Sequence, residues 1–391
     1  MASVAFAGSI ARLLDHPMAT TLWQAFILLS YSQALATMTS LIQLARGHVL
    51  ESVVVTVGAY GFVPLLIVLI LREASLPAVI VWTAVVAVVV TASSLVRIVS
   101  WAVTQGVRGA RREVEVLLRY GLPRVPASAL EPALDLALPW MAVVSGAGLI
   151  GAGYLAIGLA LMRPLNPISG ALSQVLIPAS AASVAREEFD EHAARIRRVG
   201  RWALHGGLFM TFQVAIWADV LIQLWLGPAY APAGGVAAIV CLSLAPSFLF
   251  ACLRGLIDGE TERAVNTVNL CIAVLVFVGV SIVLGWLQTA GVGSLGVAYL
   301  VSRFALAGLT IRYLIRANTV TFAELRPGAA LGMSVLFGLG GMVLRELLPE
   351  RLTVVAMLTF VPTAALLFTA LFAISETEQT QSLHRRLGVT L

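Results

Sequence analysis

The chain has 391 residues, of which 59% are hydrophobic and only 12% are charged. Soluble domains carry about 25% charged residues, so this composition excludes a soluble globular protein. All 25 basic residues are arginine, and the net charge is +5. Most of these arginines stand between apolar stretches, which does not indicate binding to nucleic acid.

Eleven apolar stretches follow one another from Thr20 to Ile374, separated by short polar connectors. A helix needs about 20 mostly apolar residues to cross the hydrocarbon core of a bilayer. We therefore predict an all-α fold, a polytopic bundle of about eleven transmembrane helices. The predicted spans are residues 20–44, 52–72, 78–103, 126–149, 152–178, 202–226, 234–257, 265–287, 293–315, 328–347 and 352–374.

The distribution of arginine predicts how these spans are oriented. Cytoplasmic connectors of membrane proteins carry an excess of basic residues. One set of alternate connectors is arginine-rich, whereas the opposite set holds little beyond Arg12, Arg72, Arg345 and Arg351. We expect the arginine-rich connectors and the C-terminus to be cytoplasmic. These connectors and the C-terminal tail contain Arg46, five arginines in 108–124, five in 186–201, Arg254, Arg263, Arg316, Arg326, Arg385 and Arg386.

Four parts follow along the chain. We predict a partial N-terminal helical lobe (1–105), a basic cytoplasmic hinge (106–125), a six-helix lobe (126–316), and a final helix pair with a cytoplasmic tail (317–391). No connector is long enough to hold a nucleotide-binding domain.

Motifs typical of enzymes and cofactor sites are not found. The sequence has no HExxH, P-loop, GxSxG or dinucleotide fingerprint. Three cysteines (Cys241, Cys252 and Cys271) lie within apolar spans without CxxC spacing, so we expect neither a metal site nor a disulfide. We therefore predict a protein that is not an enzyme and binds no cofactor, with any transport driven by an ion gradient or the membrane potential.

Two carboxylates share one face of the fourth predicted span. Glu131 and Asp135 are one helical turn apart, and Pro132 and Pro139 in the same span free backbone carbonyl groups. Charges inside spans are costly and usually mark a pathway or a partner. The pattern suits a site for a coupling H+ or Na+, and the alternative is pairing with a basic residue of a neighbouring helix.

Arginines inside spans are the second group of candidates. Arg163 and Arg303 lie near the middle of their spans, and a guanidinium group offers a planar set of donors suited to phosphate oxygens. A structural alternative is an ion pair between Arg163 and Asp135. Arg97, toward the cytoplasmic end of the third span, is a weaker candidate, since a long side chain there can extend to the interface.

Several short motifs occur in the order known from one family of transporters. They are Leu117–Pro123 (LLRYGLP) before the span with Asp135, Gly148–Tyr154 (GLIGAGY) before the span with Arg163, Ala218–Tyr230, Arg254–Arg263 and Val292–Tyr299. This order resembles the polysaccharide flippases of the multidrug/oligosaccharidyl-lipid/polysaccharide exporter superfamily. Family members have fourteen helices, and the motif at Leu117 leaves room for only three of the six that would precede it. We therefore expect a chain that lacks the first three helices of the family.

The resemblance implies a function and partners. It implies translocation of a lipid-pyrophosphate-linked glycan across the inner membrane by alternating access, with Arg163, Arg303, Asp135, Glu131 and Arg97 on the pathway. Membrane lipid and other polysaccharide assembly proteins are the implied partners. The alternatives are a remnant that does not transport, a partner-dependent membrane subunit, a drug exporter, or a membrane polysaccharide polymerase.

Overall fold

The computed structural model describes residues 19–46, 48–71, 73–105, 110–261, 263–286, 291–317 and 320–387. All regular elements within these ranges are helices, which confirms the predicted all-α fold. The chain divides into two compact units, Met1–Val114 and Glu115–Leu391. The predicted lobe boundaries at residues 105, 125 and 316 stay predictions.

The described part of the first unit is a small helical bundle. It contains α1 (Ala19–Ala45), α2 (Val49–Val57), a π-helical turn (Gly58–Phe62), α3 (Val63–Ile70) and α4 (Leu76–Gln105), and α5 (Ala110–Gly121) follows. Its buried core consists mainly of alanines, which let helices approach closely. Ser40 also hydrogen-bonds across to Ser52 at 2.7 Å and to Thr56 at 2.8 Å, so hydroxyl groups join α1 to α2.

The second unit contains the longer helical bundle. Its helices are α6 (Val125–Val144), α7 (Gly148–Met162), α8 (Asn166–Ala185), α9 (Phe189–Ile216), α10 (Ala218–Leu226), α11 (Gly234–Cys241), α12 (Leu244–Glu260), α13 (Val265–Trp286), α14 (Val292–Arg316), α15 (Pro327–Leu347) and α16 (Glu350–Leu387). Short 3₁₀ turns occupy Leu122–Arg124, Arg163–Leu165, Pro228–Ala233 and Phe322–Leu325.

Eight of the helical stretches in the described residues are individually long and apolar enough to cross a membrane. The number rises to ten if each of two bent pairs is one span: α9 with α10, bent by 66°, and the Pro228–Cys241 stretch with α12, bent by 46°. The prediction of about eleven spans exceeds this count because residues 52–72 fall on α2 and α3, which the π-helical turn separates. The chain is a multi-pass helical membrane protein.

Proline sets the break between α7 and α8. Pro164 and Pro167 lack the backbone N–H that would continue the helical ladder, and the chain forms a 3₁₀ turn at Arg163–Leu165. Arg163 is the first residue of this turn. The charged side chain of Arg163 is therefore located at the break between two apolar helices.

Helices α8 and α12 pack closely because α12 presents glycines. A Cβ atom on Gly255 would lie 3.1 Å from the Cα atom of Ser173, and one on Gly259 would lie 2.6 Å from the carbonyl oxygen of Ile177. Two hydroxyl groups of α8 donate to carbonyls of α12: Ser173 to Ala251 and Ser180 to Leu256, both at 2.9 Å. Residue numbers rise together along the contact, so α8 and α12 run parallel.

Candidate functional site

A cavity of about 570 Å³ lies inside the second unit, among α6, α7, α8, α12 and α14. Helical spacing explains why these side chains meet there, since residues three, four and seven apart share one face of a helix. On α6 the face carries Ser128, Glu131 and Asp135. The polar and charged lining comprises Ser128, Glu131, Asp135, Arg163, Asn166, Ser169, Ser173, Ser247, Arg254, Asp258, Tyr299 and Arg303.

Asp135 is held by two side chains of α14. Arg303 and the Tyr299 hydroxyl both donate to the same carboxylate oxygen, the tyrosine at 2.7 Å. The Arg303 guanidinium also lies 4.8 Å from the centre of the Tyr299 ring. The arginine side chain is only 3% exposed, so it needs this carboxylate to compensate its charge. The alternative that Asp135 pairs with Arg163 is wrong, because α14 supplies the partner instead.

Glu131 forms an ion pair with Arg254 of α12. Both groups are partly open, with the carboxylate side chain 27% exposed and the arginine side chain 33% exposed. The sequence interpretation placed Arg254 among the connector arginines and missed it as a cavity residue. The signal was available, because Ser247, Arg254 and Asp258 are spaced seven and four residues apart and share one face of α12.

Asp258, the third carboxylate of the lining, is paired with an arginine near the start of α6. Its oxygen lies 3.5 Å from Nε of Arg124, and its backbone carbonyl accepts a hydrogen bond from the Tyr120 hydroxyl at 2.7 Å. Arg124 also donates to the carbonyl of Thr261 at 2.6 Å. The motifs at Leu117–Pro123 and Arg254–Arg263 therefore meet in the structure at one end of the cavity.

Arg163 differs from the other arginines of the lining. Its side chain is exposed toward the cavity and has no hydrogen-bond or ion-pair partner among the residues that the structure describes. The carboxylates of Glu131, Asp135 and Asp258 each have another arginine as partner. When Arg124, which pairs with Asp258 from outside the lining, is counted, four arginines meet three carboxylates, and Arg163 is the arginine that is left without a partner among the described residues.

Arg97 lies elsewhere, in the first unit. Its guanidinium forms an ion pair with Glu51 at 2.8 Å, and 61% of its side chain is exposed. It does not line the cavity. In the described ranges, no group of three or more histidine, cysteine, aspartate or glutamate side chains could hold a metal ion.

Comparisons with known proteins bear on the fold of the chain. A scan against protein-family models finds no match, and a search of curated proteins also finds none. Among solved structures, lipid II flippase MurJ in an inward closed conformation is similar, with a TM-score of 0.66 and 8% sequence identity. The match covers 92% of this chain and 75% of that chain. At such low identity the likeness concerns the fold, and this chain therefore has a MurJ-like helical fold.

Proposed function

We propose that the protein is a flippase that moves a lipid-linked glycan precursor, joined to its lipid through a diphosphate, across the membrane by alternating access. The observation that supports this most is Arg163, a guanidinium without a partner in a cavity whose carboxylates are all paired. Such a cavity attracts an anion and has one cation ready to bind it. The MurJ-like fold agrees with this proposal.

The barrier for such a substrate lies in its charged head. A diphosphate must cross about 30 Å of hydrocarbon, where an unpaired charge is costly. A guanidinium group donates two parallel hydrogen bonds to phosphate oxygens and keeps its charge at every physiological pH. Arg163 would therefore lower the barrier by replacing part of the hydration of the diphosphate. The cavity is within the usual range for ligand sites, about 300–1,000 Å³, and suits the head rather than the lipid chain.

Arg303 and Asp135 have a different part in this proposal. The arginine is buried and already bound by Asp135, so we assign it to positioning that carboxylate and Tyr299 rather than to direct contact with substrate. A coupling H+ or Na+ at Glu131 or Asp135 would have to compete with the guanidinium group that is bound to the carboxylate. Coupling to either ion stays a prediction, as does any pathway role for Arg97.

The finer identity of the substrate comes from the sequence resemblance. We propose a polysaccharide or O-antigen type of precursor, with the protein in the inner membrane, its C-terminus in the cytoplasm, and other polysaccharide assembly proteins as partners. MurJ, by its name, flips lipid II, so lipid II is the substrate to compare. The proposed role of Arg163 depends on the diphosphate of the substrate and not on its glycan.

The test is transport by the purified full chain in liposomes. A fluorescent lipid-linked diphosphate sugar is placed in both leaflets, and its loss from the inner leaflet is followed with a membrane-impermeant quencher. We expect transport by the wild type and by Arg163→Lys at a reduced rate, and a loss of at least tenfold in Arg163→Ala. Arg312→Ala, which removes an exposed arginine outside the cavity lining, is the matched control and should transport normally. Full activity of Arg163→Ala would contradict the proposed role of this residue, and an inactive wild type would favour a subunit or remnant that does not transport.

A further inference from the structure

The ion pair between Glu131 and Arg254 differs from the other two pairs of the cavity in the access of solvent to its guanidinium group. About a third of the Arg254 side chain is exposed, compared with 3% for Arg303 and 14% for Arg124. A solvent-accessible ion pair contributes little net free energy, whereas a buried one resists separation because a lone charge would stay behind. The Glu131–Arg254 pair is therefore the one that a competing anion can open.

Most N–H donors of the Arg254 guanidinium group are also not used in hydrogen bonds to other described residues. Its side chain makes one hydrogen bond to another described residue, from Nη1 to Glu131. A guanidinium group carries five N–H donors in a fork that fits a carboxylate and a phosphate equally well. Glu131 thus occupies a position that a phosphate group could take, and the remaining donors of Arg254 can bind further oxygens of the same ligand.

The parallel contact of α8 with α12 shows how far this position is from Arg163. Ser173 follows Arg163 by ten residues, and its hydroxyl group bonds to the carbonyl of Ala251, three residues before Arg254. At a rise of about 1.5 Å per residue, the two arginines are about 15–20 Å apart along the helix axes. This is the offset between the two backbone positions, and it exceeds the length of a single diphosphate, so the two arginines belong to separate positions along the cavity.

We propose that Arg254 is a second phosphate-binding position of the cavity, which Glu131 occupies until the diphosphate of the ligand displaces its carboxylate. The proposal rests on the proposed function and adds a second binding position to the path of the substrate. Arg254 is near the end of α12 that the arginine distribution places on the cytoplasmic side. A substrate that enters from that side reaches Arg254 first and Arg163 afterwards, and Glu131 pairs with Arg254 again when the diphosphate has moved on.

The experiment measures binding of geranyl diphosphate, a water-soluble isoprenyl diphosphate, to the full chain in detergent by calorimetry. We expect Arg163→Ala to weaken binding, because the ligand must then displace Glu131 from Arg254. Adding Glu131→Gln should strengthen this remaining binding about fivefold by freeing Arg254, and adding Arg254→Gln as a third change should abolish it. In the background with Arg163 intact, Glu131→Gln should tighten binding at Arg254 about fivefold, the equivalent of about 1 kcal/mol for an exposed ion pair.

Controls separate a specific effect from a general gain of positive charge. Asp219→Asn also removes a carboxylate bound to an arginine, but it lies outside the cavity lining and should not strengthen binding to Arg163→Ala. Geraniol, which lacks the diphosphate, should show no dependence on these variants. If Glu131→Gln does not yield a monodisperse protein, Glu131→Asp, whose shorter side chain reaches less far toward Arg254, replaces it with the same expectation.

The results distinguish the two proposals. If the monodisperse Arg163→Ala/Glu131→Gln variant binds geranyl diphosphate no more tightly than Arg163→Ala, or if the triple variant still binds it, Arg254 is not a phosphate position. Transport that depends on Arg163 would leave the proposed function intact in that case. If binding is strengthened as expected but the wild type does not move a lipid-linked glycan in liposomes, the proposed function fails and the anion position at Arg254 remains.

Discussion

The pair of Asp135 and Arg303 should respond unequally to the loss of either member. Arg303 is 3% exposed, whereas 44% of the Asp135 side chain is exposed to the cavity. Replacing the carboxylate by leucine leaves a buried guanidinium group without a counter-charge, which costs about 3–5 kcal/mol in typical cases. The Tyr299 ring offsets part of this cost, about 1 kcal/mol for a cation over an aromatic face. We expect Asp135→Leu to lower the free energy of unfolding by about 3 kcal/mol.

The opposite change should be milder. In Arg303→Met the carboxylate loses its cation but keeps the hydrogen bond from Tyr299 and contact with cavity water, so we expect a cost of about 1 kcal/mol. The double variant should be more stable than Asp135→Leu alone, because no buried charge remains unpaired.

Thermal unfolding of the purified protein in detergent measures the difference. With an unfolding entropy of about 2 cal/mol/K per residue, 3 kcal/mol corresponds to a decrease in Tm of about 4 °C. Leu136→Ala, at a neighbouring and exposed position of α6, serves as the control and should change Tm little. Equal losses in Asp135→Leu and Arg303→Met, or a double variant that is the least stable of all, would refute the reasoning from unequal burial.

Three further predictions concern other parts of the molecule. Gly259→Ala should lower the free energy of unfolding by about 1–3 kcal/mol, measured by thermal unfolding, because the new methyl group would meet a carbonyl oxygen of α8. Gly279→Ala is the control and should be tolerated, since a Cβ atom there would have no atom of another helix within 4 Å. Arg345→Gln should lower the free energy of unfolding by about 1 kcal/mol in the same measurement. The arginine donates to both carboxylate oxygens of Asp219, at 3.0 and 2.5 Å, and to the carbonyl of Ile216, and about a third of each charged side chain is exposed. An unchanged Tm would show that the pair contributes nothing measurable. A green fluorescent protein fused to the C-terminus should fluoresce in cells if that end is cytoplasmic, and a dark but membrane-inserted fusion would contradict the orientation inferred from arginine.

The sequence was sufficient to predict the class of fold and one face of the site. Apolar stretches of 20 residues or more have few structures available in a bilayer, so the helices could be recognised without any tertiary information. The spacing of Glu131 and Asp135 likewise placed both carboxylates on the same side of α6. These are local properties of one segment, and local periodicity is what a single sequence records best.

The partners of these carboxylates could not be predicted in the same way. Arg254 and Arg303 are 123 and 168 positions away from Glu131 and Asp135 along the chain. Which arginine meets which carboxylate depends on how helices pack, and several arginines were available. The bend of 66° after Ile216 was also missed, because the apolar pattern continues through Trp217 without a proline or glycine.

The close contact of α8 with α12 limits how the cavity can open. Glycines let the backbones of these two helices come into contact, and two hydroxyl-to-carbonyl hydrogen bonds join them. Sliding or separating the helices would therefore break several contacts at once. Facing them, α6 and the residues just before it contact α12 through side chains: Glu131 of α6 pairs with Arg254, and Arg124 and Tyr120 contact Asp258. Opening is therefore expected along the seam between α6 and α12, with α8 and α12 moving as one rigid wall. The first contact to part along that seam is the one between Glu131 and Arg254.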